Sequence, residues 1–267
     1  MRDHPGTKQI VNRITKLERY LNGLKMVPAT HRLRSAVILP LLSKALTVSR
    51  AICVLIDAGY PAEAFAMSRT LLEILFSLRY ITNKSTEQRA QQYVKFHARV
   101  KTEWMKIAQK HFPDKAAKLP ALDPVTTEVA KEFRGKGNWT GMCGQIKMMA
   151  IEEDDRELDK HGKGYRNEFD YDGLYFWTSQ YVHVTVPALD GHASKRGEVF
   201  KVRVRKNLEN SCGADALFIT AVSLCKCFVY ACRSMNEPQP AAIHELYRMI
   251  REFHRRSSVS ASGETTT

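Results

Sequence analysis

Apolar residues recur at three- and four-residue intervals along most of this chain, the spacing of one face of an α-helix. Ile10, Ile14, Leu17, Leu21 and Leu24 form the first such stripe, and Thr7 stands where a capping hydroxyl belongs. After Pro28 a second stripe runs through Leu33, Val37, Leu41, Ala45, Val48, Ile52 and Leu55, with Pro40 placed to kink it. Gly59 then stops the helix and Pro61 opens the next, the usual asymmetry of helix ends. From Pro61 to about Thr82 two faces are apolar: Ala64, Met67, Leu71, Leu75 and Leu78 on one, Ala62, Ala66 and Phe76 on the other. A helix apolar on two sides is normally buried on both. Arg69 and Glu73 share the second face and are therefore expected to be a desolvated pair.

Ser85 and Gln88 form a capping-box pattern, and the helix that follows lines up Tyr93, Val94, His97, Val100, Trp104 and Ile107 on one side. Between Pro113 and about Gly164 the periodicity weakens under repeated Pro and Gly, leaving short helices near 126–133 and 145–150. The acidic run from Glu152 to Asp159 reads as a solvated loop or helix face. Asp170 or Asp172 starts a helix that carries Trp177 and His183 and ends at Pro187. Val199 to Arg205 alternates apolar and basic residues, the period of a short strand. A long apolar helix from about Ser211 to Met235 and an amphipathic one after Pro240, with Ile243, Leu246, Ile250 and Phe253, complete the pattern. The expected fold is all-α: a single helical bundle over residues 1–256, a short extended element near 198–205, and a polar, disordered tail at 257–267.

Composition changes this picture little. Of 267 residues, 44% are hydrophobic and 26% charged, ordinary globular values that exclude wholesale disorder. The net charge of +13 favours polyanionic partners. Residues 214–232 resemble a membrane span, but Asp215 and Lys226 interrupt them, so a central bundle helix is expected and no membrane. Met1 is followed by Arg2, Asp3, His4 and Pro5 without an apolar run, which points to a cytoplasmic chain with reduced thiols. Cys53, Cys143, Cys212, Cys225, Cys227 and Cys232 lack zinc-site spacing and are expected to be buried. Neither a metal nor an organic cofactor is expected. No phosphate-binding loop, dinucleotide fingerprint, H-E-x-x-H or G-x-S-x-G motif is present.

Two pairs could carry chemistry. Arg69 and Glu73, four residues apart, share a helix face and can form an ion pair. They either fix the bundle's register or hold a phosphate or carboxylate at a cleft, with Glu73 orienting Arg69. Ser179 and His183 are likewise one turn apart, within the aromatic segment Tyr175–His183. A hydroxyl beside an imidazole suits general acid–base work, and equally suits a hydrogen-bonded core pair.

At these residues the chain resembles a known group. Ala64 to Glu73 (A-x-x-x-x-R-T-L-L-E), a Trp leading a short helix (Trp139 to Ala150) and Tyr-x-x-x-S-x-x-x-H (Tyr175 to His183) look like a bacterial family of uncharacterised helical proteins. That family is similar in outline to the HEPN superfamily (higher eukaryotes and prokaryotes nucleotide-binding). The resemblance spans roughly 35–235 and implies a helical bundle, often dimeric. Its members are metal-independent ribonucleases of toxin–antitoxin and phage-defence systems, or inactive binders of RNA or nucleotides. The nuclease signature sets an arginine shortly before a histidine; here Phe176, Trp177 and Thr178 occupy those positions, so Arg69 would have to supply the cation from another helix.

Arg156–His161 and Arg248–His254 also match the spacing, at a frequency that chance explains. Basic residues of the first helices (Lys8, Arg13, Lys16, Arg19, Arg32, Arg34) and of Lys201–Lys206 could contact phosphates. Two functions follow as expectations. The first is an RNA-directed ribonuclease effector with His183 as acid/base, Arg69 as phosphate ligand, and Glu73 and Ser179 orienting them. The second is a non-catalytic module binding a nucleotide or a partner protein from its own operon, with a homo-oligomer expected in both.

Overall fold

The computed structural model describes residues 5–24, 32–84, 86–136, 138–142, 173–183, 193–196, 199–202 and 212–262. Nine helices and one hairpin are found among them: α1 (Pro5–Gly23), α2 (Arg32–Asp57), α3 (Pro61–Asn83), α4 (Thr86–His111), α5 (Pro113–Ala116), α6 (Pro124–Lys131), α7 (Phe176–Val182), α8 (Cys212–Met235) and α9 (Ala241–Ser262), with strands β1 (Ala193–Arg196) and β2 (Val199–Val202). The fold is all-α apart from this antiparallel pair, which aligns Ala193 with Val202 and Arg196 with Val199. The expected extended element falls on β2. The expected helix at 145–150, the acidic run, the Ser85 cap, Cys143, Arg156–His161 and residues 203–206 lie outside the described residues.

The chain divides into two compact units, one made of residues 1–26, 38–79 and 165–267, the other of 27–37 and 80–164. In the first, α8 packs against α9, and α1 packs against both. Its core gathers Ile10, Ile14 and Leu17 of α1, Ile38, Leu42 and Ile52 of α2, Leu71, Leu75 and Leu78 of α3, Leu224 and Phe228 of α8, and Ile243 and Leu246 of α9, all buried. Most of α8 is buried, as its predominantly apolar sequence requires. Both α2 and α8 are long and apolar enough to cross a membrane; in this fold 56% and 67% of those windows lie inside the protein.

Thr7 does not cap α1. The helix starts at Pro5, whose missing N–H costs nothing in the first turn. Thr7 is instead buried within it, and its hydroxyl donates to Asp57 Oδ1 at 2.6 Å, tying α1 to the end of α2. Two helix ends in this unit close the same way. At α2, Tyr60 N–H bonds Leu55 C=O and Gly59 N–H bonds Ile56 C=O; at α8, Glu237 bonds Cys232 and Asn236 bonds Arg233. This is the Schellman arrangement, and it needs a left-handed residue at the turn. Gly59 has φ +85° and Asn236 φ +56°, the two residue types that tolerate it best. At the far end, α9 carries helix through Ser262, past the point where the sequence suggests disorder.

The second unit is organised around α4, which packs against α5 and α6. Trp139 is buried there between Tyr80 and Tyr93, edge-to-face with each at centroid distances of 5.4 and 5.1 Å. Asp123 caps α6, accepting from Thr126 N–H at 2.7 Å. The apolar stripe along one side of α4 is not the face it buries. Ala90, Met105 and Ala108 are buried, while Val94, Val100, Trp104 and Ile107 are exposed. Contacts with the end of α6 set this rotation: Arg99 Nη1 donates to the carbonyls of Phe133 and Lys136, and Phe96 meets Phe133 edge-to-face at 5.4 Å. Lys95 adds a bond to Glu132 at 3.2 Å.

Candidate arginine–histidine site

The site lies in the first unit, between α3 and α7. Phe65 meets Tyr181 edge-to-face at 4.9 Å and Phe76 meets Tyr175 at 5.8 Å, so the two helices run antiparallel. A short helix needs such anchors, because seven residues are too few to hold a helix alone. Further ties come from Thr178, fully buried with its hydroxyl on Leu174 C=O at 2.9 Å, and from Tyr181 Oη at 3.1 Å from Cys212 Sγ. A π-type turn over residues 173–175 leads into α7, and His183 stands just past its end.

Between these anchors Arg69 makes three bonds. Its Nε donates to Glu73 Oε1 at 3.2 Å, its Nη2 to Tyr175 Oη at 3.0 Å, and its Nη1 lies 3.0 Å from His183 Nε2. The guanidinium also sits 4.9 Å from the centre of the Tyr175 ring, a cation–π distance. Tyr175 in turn donates to Glu73 Oε1 at 3.3 Å. Burial, reinforced by the Glu73 carboxylate, pushes the Tyr175 phenol above its usual range, so it stays a neutral donor. Arginine is always charged and only donates, so Nε2 is the accepting nitrogen and the ring proton is on Nδ1. Among the described residues Arg69 uses three of its five N–H donors, leaving two for a ligand.

The expectation of a desolvated ion pair does not hold. The Arg69 side chain is 20% exposed and that of Glu73 is 53%, and His183 is exposed as well. α7 runs alongside both charges, from Phe65 to Phe76 of α3, without sealing them from water. Ser179 also departs from its expected place. It is buried, and its hydroxyl donates to the Tyr175 carbonyl at 2.6 Å, a common fate of helix serines. Its link to His183 is through the backbone, where His183 N–H bonds Ser179 C=O at 3.0 Å. Serine and imidazole do not form a side-chain couple.

Two residues were given no role from the sequence. Tyr175 opens the Tyr-x-x-x-S-x-x-x-H motif, whose four-residue spacing places Tyr175, Ser179 and His183 on one side of α7. Arg79 is fully buried, its guanidinium 5.3 Å from the Tyr230 ring centre. An arginine inside the apolar run Leu78-Arg79-Tyr80-Ile81 was its signal.

Among the described residues the other candidates form no comparable centre. Lys16 and Arg13 both bond Glu245, at 2.7 and 3.4 Å, and Arg34 is 4.0 Å from Glu87. Arg248 lines a shallow recess with Gln9, Arg13 and Glu252, and the His254 side chain lies outside the described residues. Among the described residues no group of three or more His, Cys, Asp or Glu is placed to hold a metal ion. The five described cysteines are buried; burial pushes the thiols of Cys53 and Cys225 up to about 12 and that of Cys227 higher still, so these three are poor nucleophiles.

Fold and site together define a helical protein with a solvent-open arginine–histidine cluster held by a carboxylate and a phenol. Residues 35–200 match the Family of unknown function (DUF5677), and the chain belongs to that family. All five site residues fall inside the match, whereas α1, α8 and α9 fall outside it. No curated protein and no solved structure matches the chain.

Proposed function

We propose that this chain is a cytoplasmic, HEPN-like RNA-directed protein that cleaves RNA without a metal ion, as an effector in a bacterial toxin or phage-defence system. The single observation that carries this reading is the 3.0 Å contact between Arg69 Nη1 and His183 Nε2 on an open face. It supplies from α3 the cation that α7 lacks in front of its histidine.

In this mechanism a phosphate accepts the two remaining Arg69 N–H bonds and draws the guanidinium from the imidazole, freeing Nε2. Neutral Nε2 takes the proton of the RNA 2′-hydroxyl as the 2′-oxygen bonds to phosphorus. The bond to the 5′-oxygen breaks, water protonates that oxygen, the hydroxide so formed takes the proton back from the His183 imidazolium, and Arg69 stabilises the charge on the phosphoryl oxygens. Glu73 and Tyr175 hold the guanidinium, while Ser179 positions His183 through its carbonyl. The products are a 2′,3′-cyclic phosphate and a 5′-hydroxyl.

The test is incubation with a mixed RNA pool in chelator, beside His183→Ala. Cleavage leaving 2′,3′-cyclic ends and falling at least ~100-fold in the variant is the expected result. Intact RNA with folded wild-type protein overturns it. The second reading then stands: a non-catalytic module binding a nucleotide or partner protein, favoured by the fact that Arg69 already occupies His183 Nε2 in the free protein.

A further inference from the structure

Phe176 and Trp177 are each 52% exposed, although both are large enough to gain from burial. They sit on a helix whose Thr178 and Ser179 are buried and whose Tyr181 packs on Phe65, so their exposure follows from the packing that fixes the site. Phe176 and His183 are seven residues apart, which on an α-helix is nearly two full turns. That puts them about 20° apart around the axis and roughly 10 Å apart along it. Trp177 lies one step round from Phe176, and the two rings meet edge-to-face at 5.9 Å with planes 77° apart. Such packing uses one ring's edge against the other's face and leaves flat π surface open.

An exposed aromatic pair, with Phe176 on the stripe of His183 and Trp177 a step further round, fits one chemistry. A nucleotide whose phosphate is held by Arg69 carries a flat base within reach of these rings. Aromatic side chains bind bases by stacking, which needs a base released from its own stack. Paired bases in an A-form duplex present no free face, and the deep major groove keeps side chains away from them.

We propose that Phe176 and Trp177 form a stacking platform for unpaired bases beside the phosphate bound at Arg69 and His183, which makes single-stranded RNA the substrate class. This rests on the phosphate-binding reading above. The aromatic pair contributes affinity for the base and Arg69 contributes affinity for the backbone, so each can be removed separately.

The test is equilibrium binding to a labelled, fully 2′-O-methylated single strand, which cannot be cleaved through its 2′-oxygen. The same strand carrying abasic sites and the same strand as a duplex serve as comparisons. Wild type is expected to bind the single strand at least ~10-fold more tightly than either. Phe176→Ala and Trp177→Ala are each expected to weaken single-strand binding about 5- to 150-fold and to leave abasic binding unchanged. Phe176→Tyr and Trp177→Phe should retain binding, whereas Phe176→Leu should not, because an aliphatic chain fills space without stacking. Arg69→Ala should weaken base-bearing and abasic strands alike.

The proposal is overturned if wild type binds all three probes equally, if the alanine variants bind the single strand as wild type does, or if no RNA is bound. Loss in Arg69→Ala with unchanged alanine variants removes the platform and keeps the phosphate site. Loss in the alanine variants with unchanged Arg69→Ala removes the phosphate site and keeps the platform.

Discussion

Helices α8 and α4 are nearly equal in length, 24 and 26 residues, and both carry apolar residues at helical spacing. Their fates differ. In α8 nearly every turn is buried, including Leu217, Leu224 and Phe228; in α4 three small or flexible residues are buried and Val100, Trp104 and Ile107 face outward. The difference lies between the apolar residues. With few charges, α8 satisfies its sequence only by being surrounded. In α4 Lys95, Phe96 and Arg99 meet Glu132, Phe133 and Lys136, and the helix takes a rotation compatible with those contacts. An apolar stripe thus establishes a helix without establishing which side of it becomes core.

The sharpest test of this contrast is truncation at matched depth in the sequence pattern. Phe228→Ala is expected to cost about 3–5 kcal/mol, the range for a fully buried aromatic, measured by denaturant unfolding. Next comes alkaline stability. The thiols of Cys53 in α2 and Cys225 in α8 rise from 9.0 to about 12 because burial penalises their charged form. The folded state then holds protons that the unfolded state releases. Their contribution is intact below about pH 9 and is lost as pH rises from 9 toward 12, by roughly 1.4 kcal/mol per pH unit per thiol. Replacing either cysteine with alanine should flatten that slope in a pH series of melts. The smallest effect is at α4, where Trp104→Ala should change stability by no more than about 0.5 kcal/mol. A loss of 2 kcal/mol or more, growing with protein concentration, would break the comparison by showing that a second copy covers the stripe.

The same logic explains what the sequence revealed of the site. Arg69 with Glu73, and Ser179 with His183, stood out because a four-residue interval is a statement about one helix. The boundary between α2 and α3 was equally legible, since Gly59 and Pro61 act on their own backbone; Pro40 stands inside α2, which runs on through it as one helix. What stayed hidden depends on two helices at once. His183 lies 114 positions from Arg69, and no local period encodes that Nη1 and Nε2 meet. Nor does spacing reveal that Ser179 spends its hydroxyl on the Tyr175 carbonyl, because the backbone offers every helix serine the same acceptor. Burial of the Arg69–Glu73 pair was misjudged for a similar reason: α3 is apolar on two sides, but its own sequence does not encode how fully a neighbouring helix covers each.

Arg79 carries a consequence of another kind. The family match ends at residue 200, and the ring that lies against this buried guanidinium, Tyr230, is thirty residues beyond it. A recombinant fragment cut to the matched boundaries would keep the cation and lose its cover, together with α1, α8 and α9. Removing the partner of a buried charge is costly in itself. The stretch of chain that identifies the family is therefore shorter than the stretch needed to shelter its own interior.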